Sequence, residues 1–400
     1  METVTLPLSK SILNRCLVLS ALSKTSLGYM PPDAQLPHDV LVMKQLLFEN
    51  NSNIFNVEDA GTVFRFLTAY ASITPGEHLL YGTDKLNSRP IKPLVDALRQ
   101  LGAKIDYCNL EGEAPLKIGG QSLIGGEITL DASFSSQFVS ALMLIAPTLK
   151  LGLKINLSGV TSIPYIHLTQ ECLAYFGVKS SIRDNFVEVP YTPNFTQNSI
   201  AMQAIETDWS SAAFWYALCA VTGKSFRFEN LSLKSIQGDI VCMELFRCLG
   251  VDTLLGEHEI SIEKNNSGQD ALEFNLQSCP DLAPALIIAC ALQNRNAKFY
   301  GLHTLQYKES SRAEALQLEL KKLNINFFPD SDCWQLSSNA EFSNDKLLNL
   351  NCKLLTYNDH RLAMAFACVK AVNRNVEIEH DECVKKSYPF FWEEFFRIYV

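Results

Sequence analysis

Four amphipathic segments of this 400-residue chain end the same way and at nearly the same interval. They read LVDALRQLGAKI, LTQECLAYFGVKSSI, CMELFRCLGVDTLL and LQLELKKLNINFF, and their stop residues Gly102, Gly177, Gly250 and Asn324 stand 75, 73 and 74 residues apart. Gly or Asn after a last helical turn supplies the left-handed residue that ends a helix. A second series runs ahead of the first, with far less polarity: SKSILNRCLVLSAL, AGTVFRFLTAYAS, SSQFVSALMLIAP, WSSAAFWYALCAV, PDLAPALIIACAL and NDHRLAMAFACV. Its later starts, Gly61, Ser136, Ser211, Asp281 and Asp359, are 75, 75, 70 and 78 residues apart. A helix apolar all round is buried.

DVLVMKQLLF and FFWEEFFRIYV complete the amphipathic series, which gives six units of one buried and one amphipathic helix. Short β-rich runs such as GGEITLDAS and GKSFRFENLSL lie between them, and the Gly pairs of GGQSLIGGEI read as hairpin turns. No Walker motif is present and no GxGxxG follows a strand. Thin solenoids repeat every ~20–50 residues, so units this long are expected to pack as two globular halves of three.

The composition, 47% hydrophobic and 19% charged, suits a globular chain of that size. A formal net charge of -9 argues against non-specific nucleic-acid binding, so any anionic ligand must meet a local cluster of cations. The start METVTLPLSKS has no secretory pattern, and FVSALMLIAP is too short to span a bilayer. Twelve cysteines form no CxxC pair, and Cys16, Cys219, Cys290 and Cys368 fall inside apolar helical patterns. A reduced, cytoplasmic setting is expected, with neither a disulfide framework nor a metal site.

Polar residues of the buried helices gather at their N-terminal ends, where free N–H groups and the helix dipole suit anions. On that basis Asp359, His360 and Arg361 are expected at the rim of a site. Each cluster also has a plainer reading. Ser11 and Arg15 share a helix face beside Lys10, as a cap with surface cations would. Gly61 and Arg65 fit a turn and a solvated side chain. Ser133, Ser135, Ser136 and Gln137 exceed what one cap needs, while Asp208 reads as an N-cap. Asp281 suits either a cap or a base in a cleft. Ser311 and Glu314 form a capping box, which leaves Lys308, Glu309 and Arg312 unexplained, and Lys385 and Lys386 precede the last helix. Together Lys10, Arg15, Arg65, Arg89, Lys308, Arg312, Arg361 and Lys386 recur at equivalent points of an acidic chain, a pattern suited to phosphate and carboxylate ligands.

In order, SKSILNR, AGTVFRFLTA, RPIKPLVDALRQLGA, SSQFVSALMLIAP, SIPYI, SSA, QGD, KESSR, YNDHRLAMAF and KKSYP resemble the 5-enolpyruvylshikimate-3-phosphate synthases over nearly the whole chain. The resemblance implies an α/β (α+β) fold of two similar domains, each of three βαβαββ units with buried parallel helices, and an active site in the interdomain cleft. It places residues 1–8 with 207–400 in one domain and 9–206 in the other. The first would carry the phosphoenolpyruvate side and the catalytic carboxylates, the second the shikimate 3-phosphate side. The implied reaction moves the enolpyruvyl group of phosphoenolpyruvate to the 5-hydroxyl of shikimate 3-phosphate and releases phosphate, through addition and elimination.

By resemblance, shikimate 3-phosphate meets Lys10, Ser11, Arg15, Ser135, Ser136, Gln137, Ser162, Tyr165, Asp281 and Lys308. Phosphoenolpyruvate meets Lys10, Gly61, Arg89, Gln137, Arg312, Arg361 and Lys386. Lys10, Asp281 and Glu309 are the implied catalytic residues, with Asp281 near the 5-hydroxyl and Glu309 at the enolpyruvyl methylene. No metal or organic cofactor is implied, no nucleic-acid or membrane partner, and a monomer is expected. The family usually has Gly where Leu8 stands, Asn at Asp59, Pro at Phe66, Gly at Thr207 and Asp at Ser311. Rival readings are the sister transferase acting on UDP-N-acetylglucosamine and a silent homologue that only binds a phosphorylated metabolite.

Overall fold

The computed structural model describes residues 1–28, 30–196, 205–256, 259–265, 267, 272–330, 332–339 and 347–399. By its internal packing the chain forms two compact units. The first comprises Met1–Leu8, Ala34–Pro37 and Glu206–Val400, and the second Ser9–Asp33 and His38–Ile205.

One recipe builds both. In the second unit, strand Ile54–Asn56 leads through buried helix Gly61–Ile73 to strand Gly76–Tyr81, and the two strands pair in parallel. Amphipathic helix Lys92–Gln100 follows, buries Leu94, Val95, Ala97 and Leu98, and stops before Gly102, whose φ is 92°. Strands Lys104–Tyr107 and Leu116–Gly120 then close an antiparallel hairpin, and Leu116–Gly120 also pairs with Gly76–Tyr81. Alternation along Gly76–Tyr81, with His78 and Leu80 inward, is what one buried face requires. The same order recurs in the sheet of Gly126–Ala132, Leu153–Val160, Phe186–Val189 and Ser181–Arg183.

The first unit holds two more such sheets. One begins with the N-terminal strand Glu2–Val4, which pairs in parallel with Phe226–Glu229. A bridge between Leu8 and Thr207 and a bond from Asp208 N to the Pro7 carbonyl (2.9 Å) fasten that strand's end to the start of helix Trp209–Thr222. The repeat is not uniform. Residues 353–399 carry two helices and a two-stranded parallel sheet, and no sheet accompanies helices Lys10–Ser23 and His38–Lys44 among the described residues. All four expected stop residues are left-handed: Gly177, Gly250 and Asn324 have φ of 74°, 78° and 62°.

Buried helices form the core of each unit. Trp209–Thr222, Ala283–Leu292 and His360–Val372 pack on one another in the first, and Gly61–Ile73, Ser136–Ile145, Lys10–Ser23 and Ile163–Tyr175 in the second. Every residue of Ala283–Leu292 is buried, which explains why its sequence lacks a polar stripe. Truncating a residue such as Leu286 there costs ~2–5 kcal/mol. No helix among the described residues is long and apolar enough to cross a membrane.

Candidate active site

Ion pairs in the first unit concentrate on Arg312, the opening residue of helix Arg312–Lys322. Its Nε and Nη2 donate to the two oxygens of Asp359 at 2.8 and 3.3 Å, its Nη1 to Asp281 Oδ1 at 2.9 Å, and its Nη2 also to Glu309 Oε2 at 3.0 Å. Asp281 lies in the turn Pro280–Leu282 that precedes helix Ala283–Leu292. Arg361 meets it from the start of helix His360–Val372, with Nη2 donating to Asp281 Oδ2 and Nη1 to the Asp281 carbonyl, both at 3.2 Å. Lys308 Nζ is 3.6 Å from Asp281 Oδ1. Three helix starts thus bring Asp281, Lys308, Glu309, Arg312 and Arg361 together. Lys386 is buried at the end of the turn Asp381–Lys386.

Burial pushes the Asp281 carboxyl up, but the charges of Arg361, Lys308 and Arg312 outweigh it and hold the group well below the usual carboxylate range. Burial opposes the charge of Arg312, yet Asp359, Glu309 and Asp281 raise its pKa. Asp239, which accepts a bond from the Ser210 hydroxyl, goes the other way: burial lifts it to about 6 against the pull of Arg361.

Two expectations are corrected here. Asp359, His360 and Arg361, expected at the rim of a site, are buried: they are 0%, 2% and 8% exposed. Asp359 caps its helix by accepting from Arg361 N at 3.0 Å, and Ser310 Oγ donates to it at 3.0 Å. A charged helix start is tolerated in the core because acid and guanidinium arrive paired. The capping box also fails, because the Ser311 side chain makes no cap bond. Asp208 does cap, accepting from Ser211 N at 3.1 Å and Ser211 Oγ at 2.6 Å.

The second unit gathers its own set. Lys10 Nζ pairs with Asp39 Oδ2 at 3.0 Å. Arg15 is 2% exposed. Its Nε donates to Thr169 Oγ1 at 2.7 Å, its Nη1 to the Ser11 carbonyl at 2.8 Å, and its Nη2 to Ser140 Oγ at 3.1 Å and the Tyr165 carbonyl at 3.3 Å. Burial lowers the Arg15 pKa. Ser135 caps helix Ser136–Ile145 by accepting from Gln137 N at 3.2 Å, while Gln137 Nε2 donates to Thr62 Oγ1 at 3.1 Å. Ser162 precedes helix Ile163–Tyr175 with a left-handed φ of 53°. The Arg89 guanidinium lies against Gly61, where a methyl carbon would stand 2.7 Å from its Nη1 and 2.9 Å from Nη1 of Arg65.

Sequence reasoning did not single out Asp39, Ser140 or Thr169, and it met Asp239 only within the string QGD. Each looks in the chain like an ordinary helix or loop polar residue. Only burial shows otherwise.

The EPSP synthase (3-phosphoshikimate 1-carboxyvinyltransferase) family model matches residues 39–395. A 3-phosphoshikimate 1-carboxyvinyltransferase of Bacteroides fragilis is 39% identical, over 98% of this chain and 94% of its own. EPSP synthase of Acinetobacter baumannii superposes with a TM-score of 0.73 at 22% identity, covering 99% of this chain and 95% of that one. The enolpyruvyl transferase NikO of Streptomyces tendae gives 0.72 at 12% identity, covering 100% and 94%. These last two likenesses establish the α/β fold in two domains. With a family match over most of its length and a relative of this identity, the chain belongs to the EPSP synthase family.

Proposed function

We propose that the chain transfers the enolpyruvyl group of phosphoenolpyruvate to the 5-hydroxyl of shikimate 3-phosphate, with Asp281 and Glu309 as its proton-transfer groups and Lys10 as a third catalytic residue. Family membership supports the reaction. One observation carries the roles: Asp281 is bonded to both Arg312 and Arg361, while Glu309 is bonded to Arg312. Two carboxylates in different surroundings are what an addition followed by an elimination needs.

In this arrangement Asp281 is a weak base, because three cations hold it ionised. A phosphate or carboxylate that draws Arg312, Arg361 or Lys308 toward itself loosens that hold and raises the basicity of Asp281. Substrate anions therefore do two things. They are bound by cations that were paired with Asp281, and their binding readies the base. The roles in the second unit are Ser11 and Arg15 toward the shikimate ring and its carboxylate, and Ser135, Ser136 and Ser162 toward the 3-phosphate. Gln137 and Tyr165 complete that pocket. Lys10, Gly61, Arg89, Gln137, Arg312, Arg361 and Lys386 serve phosphoenolpyruvate. We read the chain as a cytoplasmic monomer, a setting consistent with its twelve free thiols.

The test is phosphate release by the purified chain with both substrates, omitting each in turn, with UDP-N-acetylglucosamine as the competing acceptor. Release that requires both supports the reading. Release with the sugar nucleotide, or binding of shikimate 3-phosphate without turnover, sinks it. Sedimentation of the ligand-free chain reads the oligomeric state directly.

A further inference from the structure

We propose that Phe66 is a positioning residue for Arg15, holding the face of the guanidinium so that its charge is kept for the carboxylate of the shikimate ring. This rests on the reading that Arg15 binds that carboxylate. Phe66 is 1% exposed, and the Arg15 Cζ lies 5.2 Å from the centroid of its ring. Four helices supply the surroundings of this one group: Ser11 from Lys10–Ser23, Phe66 from Gly61–Ile73, Ser140 from Ser136–Ile145, and Tyr165 with Thr169 from Ile163–Tyr175.

A guanidinium donates hydrogen bonds in its plane and is weakly hydrated on its faces. Bonds to Thr169, Ser140 and the two carbonyls settle the plane but leave the faces open. Among the described residues all of these partners are neutral. A carboxylate in this place would steady Arg15 and also cancel its charge. An aliphatic side chain would fill the space without offsetting the cost of burying a cation. An aromatic face does neither: its quadrupole attracts the cation, uses no N–H and leaves the net charge intact. Phe66 therefore lowers the penalty of holding an unpaired buried cation in a binding orientation.

The decisive experiment replaces Phe66 with a series of phenylalanines bearing one, two and three ring fluorines. They hold volume nearly constant while draining the negative face of the ring. Shikimate 3-phosphate affinity is measured by calorimetry, alongside KM for phosphoenolpyruvate and kcat. Affinity is expected to weaken with each fluorine, and Phe66→Met to weaken it ~3–30-fold. KM for phosphoenolpyruvate and kcat should stay within about twofold of wild type, the effect being confined to one anion site. In an Arg15→Gln background the fluorine series should be flat. A flat series in the wild-type background overturns the proposal, as does equal weakening toward both substrates with a lowered Tm. Should Phe66→Met fail to fold, the fluorinated series still decides. Arg15→Gln separates the two layers: unchanged affinity defeats the reading of Arg15 itself, whereas weakened affinity with a flat wild-type series defeats only the role of Phe66.

Discussion

Arg15 and Arg312 are both almost completely buried at the heart of their units, and they are held in opposite ways. Arg312 is surrounded by the carboxylates of Asp281, Glu309 and Asp359, and its pKa is raised. Arg15 is held by hydroxyls, carbonyls and an aromatic face, and its pKa is lowered by burial. The first arrangement holds its cation in pairs with carboxylates. The second keeps a net positive charge ready. On the proposed function, one repeated scaffold carries two kinds of anion site: one suited to moving protons while binding, the other to binding alone.

Removing the carboxyl charge from the first kind should matter most. Asp281→Asn and Glu309→Gln are each expected to lower turnover ~10²–10⁴-fold in a folded protein, as loss of a general acid or base does. Near wild-type phosphate release by both variants would end their assignment.

The two buried guanidiniums should also differ in what they leave behind. Arg312→Met strands Asp359 without its main partner and is expected to cost ~3–5 kcal/mol in urea unfolding. Arg15→Met should cost less, ~1–3 kcal/mol. Ser140 and Thr169 already bond each other at 2.8 Å, and Thr169 bonds the Tyr165 carbonyl at 2.8 Å, so they stay satisfied. Equal losses would erase the contrast.

pH separates two acids of the first unit. Asp239 is raised in the fold to about 6, so the stability it contributes is present below its ordinary pKa and lost as pH rises through 6. Asp281 is depressed, so its contribution is present above its ordinary pKa and lost as pH falls. Unfolding free energies at pH 4 and pH 7 should show a drop with rising pH of ~1–3 kcal/mol that Asp239→Asn removes. An unchanged slope in that variant would assign the drop elsewhere.

The smallest expected change belongs to Gly61→Ala. Its methyl carbon displaces the ends of Arg89 and Arg65, so KM for phosphoenolpyruvate should rise ~5-fold, about 1 kcal/mol. Stability should change little, because Gly61 opens its helix, where the ~1 kcal/mol interior preference for Ala over Gly does not fully apply. A KM equal to wild type would show that the Arg89 position is not critical.

Much of the fold was legible in the chain. Left-handed residues at Gly102, Gly177, Gly250 and Asn324 lie where the periodicity put helix ends, because that conformation is a local demand of the backbone. Helices without a polar stripe turned out to be core, as in Ala283–Leu292. Cations and carboxylates were also visible as residue types near helix starts. Their pairing was not. Arg312 and Asp359 are 47 residues apart in sequence, and Arg15 and Thr169 are 154 apart. No local pattern tells which acid meets which guanidinium.

By itself, then, the sequence determined the repeat, the identity of the buried helices and the stock of charged groups, since propensity and hydrophobic period act over a few residues. Tertiary structure alone decided that Asp359 is a buried partner and not a rim acid, that Asp239 and Asp281 titrate in opposite directions, and that Phe66 lies under Arg15. Electrostatics and burial depend on the distance between groups in space, and that distance is set when helices far apart in the chain pack together.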